Sequence, residues 1–188
     1  MIPVMGRRRQ VSDLEISTAA REVFLSSGPK APVALVAKKL GVSTAALFQR
    51  TGSKKRLMLM ALQPDGTFTE LDRGPQPDAP VREQLGTILF QLNCYLGSLI
   101  SASLTLKAAQ IESDLPEPTP GRLRELLALW LTQATALALL AVKDSVTTAD
   151  VLIGTLEARH IHAYMRQETL SSEQHREYIA AMLDVVLP

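Results

Sequence analysis

The 188-residue sequence has a single cysteine, Cys94. One thiol can form neither an internal disulfide nor a cysteine-based zinc site, and it points to a reducing, cytoplasmic compartment. Aromatic residues make up only 4% of the chain, and β-branched runs with period-two alternation are missing, so the marks of strands are absent. No apolar h-region follows the Arg7–Arg9 run, as a secretory signal would require. Charge is missing from residues 84–106, yet that stretch holds Gln84, Thr87, Gln91, Asn93, Ser98, Ser101, Ser103 and Thr105. A bilayer span needs about 20 predominantly apolar residues. This much polarity reads as a buried helix of a soluble protein, and no membrane partner is expected.

Apolar residues reach 46%, enough for one sizeable core or two small ones. The net charge of +1 hides an asymmetry. Residues 1–62 hold eleven Lys/Arg against three Asp/Glu, a net of +8; residues 63–188 hold nine against sixteen, a net of −7. A basic end joined to an acidic remainder suits a polyanion bound at one end, with nucleic acid the first candidate. Between them, residues 63–80 contain four prolines and two glycines, which break helices and strands alike. The reading is a domain over 1–62 with a basic N-terminal arm, a linker over 63–80, and a second domain over 81–188.

Helix signals fill both domains, so the fold class is all-α. Ser12 and Glu15 have capping-box spacing and open a helix over 13–27, with Ile16, Ala20, Val23, Phe24 and Ser27 on one face. Gly28-Pro29 ends it. Pro32 starts a short helix over 33–40, Gly41-Val42 turns the chain, Ser43 caps a helix over 44–50, and a fourth runs over 54–62. The second domain reads as helices over 81–96, 98–113, 120–142, 148–167 and 172–187. Thr119-Pro120 and the Ser171/Gln174 pair mark two of their starts.

Two short helices joined by a tight glycine turn are the content of a helix-turn-helix. In 44–50, Thr44, Ala45, Phe48 and Gln49 share one face, while Leu47 points back toward Val36 and Leu40. The second helix of such a motif enters the major groove. There the Gln49 amide can offer adenine a donor and an acceptor together. Ala45 is small enough for close approach, and Ser43, Thr44, Arg50 and Lys54 are candidate phosphate contacts, as are Arg8 and Arg9 of the arm.

The stretch Ala19-Ala20-Arg21-Glu22-Val23-Phe24, then Gly28, Val36-Ala37, Leu40-Gly41-Val42-Ser43, Ala46-Leu47-Phe48 and Gly52-Ser53-Lys54 with Leu57 resembles the DNA-binding domain of the TetR-like family of bacterial transcriptional regulators. The likeness covers about residues 12–62. It implies a homodimer on double-stranded DNA at a pseudo-palindromic operator, paired through helices 148–167 and 172–187. It further implies a C-terminal pocket whose small-molecule effector releases a repressor. Three positions depart from the family pattern: Phe48 stands where a tyrosine is usual, Thr51 replaces an aromatic core residue, and Ala31-Pro32 replaces a Thr or Ser cap. They favour an alternative, a helical ligand-binding or adaptor protein of the same fold with weakened DNA contacts.

No constellation for catalysis assembles, so an enzyme, a cofactor and a metal are not expected. Glu157 and His160 are read as an ion pair on a helix surface, His175 as solvated, and Cys94 as a buried, inert thiol. The uncharged helices leave room for a largely apolar effector with a few polar contacts, for which Asn93, Tyr95, Trp130 and Gln133 are the candidates.

Overall fold

The computed structural model describes residues 11–64, 66–112 and 118–187. Arg8 and Arg9 lie outside the described residues. Among those described, the chain is helical and without strands. The helices are α1 (Asp13–Ser27), α2 (Val33–Leu40), α3 (Thr44–Thr51), α4 (Lys54–Ala61), α5 (Thr69–Arg73), α6 (Val81–Ala108), α7 (Pro120–Ala136), α8 (Ser145–Arg166) and α9 (Ser172–Val186). They fall into two compact units, one within Met1–Gln63 and Leu104–Ser113, the other within Pro64–Ser103 and Asp114–Pro188.

In the first unit α1 packs on α2 and α4, and α3 packs on both α2 and α4. Its core is Ile16, Ala20, Phe24, Val36, Leu47, Leu57 and Met58, all at most 2% exposed. Ser27, expected on the same face, is exposed. The Ser12/Glu15 capping box forms in full. Arg21 ties α1 to the end of α4: its Nε donates to the Ala61 carbonyl at 2.8 Å, and its Nη2 donates to the Gln63 carbonyl. Thr51 is buried at the end of α3. It is 4% exposed, and its hydroxyl donates to the Leu47 carbonyl at 3.0 Å.

The second unit is built around α6, whose Leu85, Ile88, Leu89, Leu92 and Leu96 are at most 1% exposed. They meet Leu123, Leu127, Trp130 and Leu131 of α7, Leu152, Ile153 and Leu156 of α8, and Ile179 and Leu183 of α9 in one hydrophobic cluster. By length and composition α6 could cross a membrane, but half of its most apolar window is buried inside the protein. Three ion pairs tie these helices together: Arg124 holds Glu157 and Asp150 across α7 and α8, and Arg82 holds Asp184 across α6 and α9.

The linker is more ordered than its composition suggests. Phe68, Leu71 and Pro75 are buried, and α5 packs against α7. The Gln84 side chain sits 7% exposed beneath residues 76–79. Its Oε1 accepts from the Gln76 N–H, and its Nε2 donates to the Gln76 and Ala79 carbonyls, all at 2.8 Å. One buried amide therefore satisfies three backbone groups that the prolines leave without helical partners.

Four expected boundaries move. The helices expected over 81–96 and 98–113 are one, because Gly97-Ser98 does not break α6. Residue 97 is glycine for a different reason: the His160 ring lies where a Cβ would stand, 2.6 Å from its Cε1. Helix α6 then ends at Ala108 and α7 at Ala136, well short of 113 and 142. Non-glycine residues in the left-handed conformation, Gln110 and Ala138, turn the chain there. Helix α8 begins at Ser145, three residues early, because the Asp144 carboxylate accepts from the Val146 and Thr147 N–H groups at 3.0 and 3.1 Å. That cap overrides the weak helix propensity of Val146, Thr147 and Thr148.

Candidate functional site

Helices α2 and α3 form the helix-turn-helix. Gly41 closes α2 at φ +69°, with its N–H bonded to the Lys38 carbonyl and the Val42 N–H to the Ala37 carbonyl. A Cβ at residue 41 would meet nothing within 4 Å, so glycine is there for its backbone conformation alone. Ser43 caps α3, its Oγ accepting from the Ala46 N–H at 3.1 Å. The Ser43 hydroxyl proton stays available to donate to a phosphate beside the helix N-terminus, where backbone N–H groups also favour an anion.

The structure brings the expected contact face together. Ala45 and Gln49 are exposed and Thr44 and Phe48 half-buried, while Leu47, on the opposite side, is 1% exposed against Val36. The two cations assigned to this helix and the next are partly engaged within the unit. Arg50 donates from Nη1 to the Val11 carbonyl and from Nη2 to the Asp13 carboxylate. Lys54 places its Nζ 5.8 Å from the centroid of the Phe24 ring. Lys39 is paired with Glu22. Lys38, Lys55 and Arg56 are exposed. Pro32 gives α2 no side-chain cap, as the sequence suggests.

In the second unit the four proposed effector contacts differ in their surroundings. Asn93 is 1% exposed, with its Oδ1 2.9 Å from His160 Nε2 and its Nδ2 without a hydrogen-bond partner among the described residues. Trp130 is also 1% exposed, and its Nε1–H likewise lacks a partner there. Tyr95 donates its hydroxyl proton to the Pro118 carbonyl at 2.9 Å and meets Phe68 edge-on, ring centroids 5.2 Å apart. Gln133 is exposed. A groove of about 680 Å³ lies elsewhere, along α8 and the start of α9, lined by Asp150, Gly154, Arg159, His162, Glu168 and Tyr178.

Sequence reasoning missed the link that places His160. Glu157 and His160 do not pair; Glu157 binds Arg124, and His160 turns to Asn93. His175 is not simply solvated. Its ring lies 5.4 Å from that of His160, and burial and Arg159 lower its pKa. Burial, then His175, with a smaller push from Arg159, lowers the His160 pKa to about 4. Cys94 is exposed rather than buried; what burial its thiol has raises its pKa, against the opposing charge of Arg176. Only the helical spacing of Asn93 and Gly97 hinted at a shared face.

No family model and no curated protein sequence matches the chain. Solved structures do. One, described as the molecular basis for control of antibiotic production by a bacterial hormone, superposes with a TM-score of 0.63 at 22% identity, covering 94% of this chain and 97% of its own. A TetR transcriptional regulator from Streptomyces coelicolor gives 0.61 at 17% identity, covering 94% and 99%. A gamma-butyrolactone receptor described as ArpA-like gives 0.56 at 19%, covering 94% and 88%. The chain has the TetR-like fold over nearly its whole length.

Proposed function

We propose that the chain is a ligand-responsive transcriptional regulator that binds a pseudo-palindromic operator as a homodimer and acts as a repressor in the cytoplasm. The observation that carries this reading is the Ser43-capped helix α3, which presents Thr44, Ala45, Phe48 and Gln49 from a basic helix-turn-helix unit. Similarity of fold to TetR-family regulators supports it. The dimer forms through α8 and α9, whose Val151, Ile161, Met165 and Val185 are large apolar residues left 42 to 82% exposed.

The effector is largely apolar and enters the core of the second unit. Asn93 Nδ2 and Trp130 Nε1 are buried donors that would welcome acceptors on such a molecule. A lactone, the ligand class named for one structure of similar fold, has a carbonyl of this kind. For control, the effector must favour one dimer geometry over the other. The adaptor reading draws on Thr51, which is buried here and bonds its hydroxyl within α3 to the Leu47 carbonyl.

The test is binding of purified protein to duplex DNA at graded salt. If a dimer neutralises about eight phosphates, log K falls against log salt with a slope near −7. A flat dependence refutes binding through the basic unit.

A further inference from the structure

We propose that His160 is a positioning residue of the effector site and sets its selectivity. It holds the Asn93 amide so that the NH₂ group, and not the oxygen, is offered to the effector, which must then present a neutral acceptor such as a carbonyl. The inference rests on the effector reading above and adds to it the residue that decides which polarity of ligand is read.

Asn93 is 1% exposed on α6, between Leu92 and Leu96 of the hydrophobic cluster, and its Nδ2 has no hydrogen-bond partner among the described residues. Trp130 of α7, a member of that cluster, is as deeply buried, and its Nε1–H is in the same condition. Buried N–H groups without partners are rare in folded proteins and costly to leave so. Both atoms are donors, so an acceptor would satisfy them. Asn93 alone does not dictate this. An amide presents an acceptor on one side and donors on the other, and turning it over exchanges them.

His160 of α8 removes that freedom. Its Nε2 lies 2.9 Å from Asn93 Oδ1. With its proton on Nε2 the imidazole only donates from that nitrogen, so it takes the amide oxygen and leaves the NH₂ group for the effector. With the proton on Nδ1, the bare Nε2 would take the NH₂ group and reverse the site. The ring is seated to hold its position. One turn beyond Asn93, Gly97 leaves room for it: a Cβ there would stand 2.6 Å from the ring Cε1 and 2.9 Å from Nδ1. The His175 ring lies 5.4 Å away, tilted by 45°. A glycine inside a helix lowers stability, so space for this ring comes at the expense of α6.

Charge is the other half of the selectivity. Burial, then His175, with a smaller push from Arg159, lowers the His160 pKa to about 4, so the ring is neutral at neutral pH. Arg159, the arginine that acts on this ring, is turned to the Gln174 carbonyl and the Tyr178 ring. A carboxylate bound at Asn93 would lose its water and gain no counter-charge from His160.

The first measurement is the tautomer of His160 in the full chain at neutral pH, read from its ring nitrogen shifts by NMR. A proton on Nε2 is expected, and a proton on Nδ1 overturns the proposal. Dissociation constants are then measured for probes of equal carbon number: methyl nonyl ketone, which only accepts; heptylpyrrole, whose N–H only donates; and undecanoate, which is charged. Wild type should prefer the ketone to each of the others by about tenfold. H160Q keeps a bond to Asn93, but its own amide can turn either way, so thermal unfolding should change little while ketone and pyrrole come within about threefold of each other. H160L leaves the amide without this partner and should equalise the two probes likewise; if it fails to fold, H160Q decides. A histidine that merely supports the fold would weaken every probe alike and leave their ratios unchanged. That result, or a wild type indifferent to the polarity or charge of the probes, overturns the proposal. A wild type that binds none of the probes refutes the effector reading itself, whatever the tautomer, and the inference with it.

Discussion

His160 Nε2 lies 2.9 Å from the Asn93 Oδ1, and the same imidazole fills the space that a side chain at position 97 would need. An amide oxygen can only accept, so Nε2 carries the proton; burial and His175 are what favour the neutral ring. The bond fixes the Asn93 amide and turns its NH₂ group into the unit. A helix crossing and a candidate effector contact are thus set by one histidine.

Stability should depend on pH through that ring. Burial, His175 and Arg159 lower the His160 pKa to about 4, against the opposing bond to Asn93. The fold prefers the neutral form, so this contribution is complete above about pH 6.5. It is lost as pH falls toward 4, where the unfolded chain takes up a proton that the native ring resists. For a partly buried ring the loss is about 1 kcal/mol, or about 2–4 °C in Tm between pH 7 and pH 4.5. His160→Gln keeps a donor for Asn93 without the titration, so its Tm should fall less over that range, the remainder coming from His175. Parallel Tm curves for the two proteins would contradict this account.

Gly97→Ala should destabilise the second unit. The added Cβ would stand 2.6 Å from the His160 ring, and overpacking of this kind costs about 1–3 kcal/mol, offset in part by the better helix propensity of alanine. Combining it with His160→Ala should cost clearly less than the two separate losses together. Chemical denaturation of the three variants checks this, and additive losses would remove the ring from the explanation.

A matched pair tests the backbone argument. Gly41 at φ +69° and Ala138 at φ +54° both lie in the left-handed region. Gly41→Ala should therefore lose about 1 kcal/mol, and Ala138→Gly should gain up to about 1 kcal/mol, because neither change alters a packed contact. Urea midpoints moving in opposite directions are the expected result.

That pair also shows where sequence reading succeeded and where it did not. Helices α1 to α4 were legible within a residue or so, because Ser12 and Ser43 announce starts and Gly28, Gly41 and Gly52 announce stops. In the second unit Gln110 and Ala138 take left-handed turns without the residue that signals them, so α6 and α7 read too long. Gly97 misled in the opposite sense: it marks a close approach, not a break. The outward-facing set on α3 was readable because a capped eight-residue helix has only one outward face. The engagement of Arg50 with Val11 and Asp13, and of His160 with Asn93, joins residues 37 to 67 positions apart, and local spacing carries no trace of such pairs.

Two substitutions on α3 should act in opposite directions on operator affinity. Phe48→Tyr adds a hydroxyl at a half-buried position on the face proposed to meet DNA and should tighten binding by about 0.5–1.5 kcal/mol, the net worth of one hydrogen bond. Ser43→Ala removes the cap at the Ala46 N–H and the proposed phosphate donor, and should lower helix stability by about 1 kcal/mol while weakening binding. Titration of labelled operator with each protein checks both. A Phe48→Tyr variant with unchanged or weaker binding would place that ring away from the backbone.

The most direct test of the central claim is selection of random duplex DNA by the purified protein at near-physiological salt. The account predicts an enriched pseudo-palindrome with half-site centres about one helical turn apart. Gln49→Ala should relax preference at one base pair in each half. Recovery of no common sequence, with only weak and salt-sensitive retention, would contradict it.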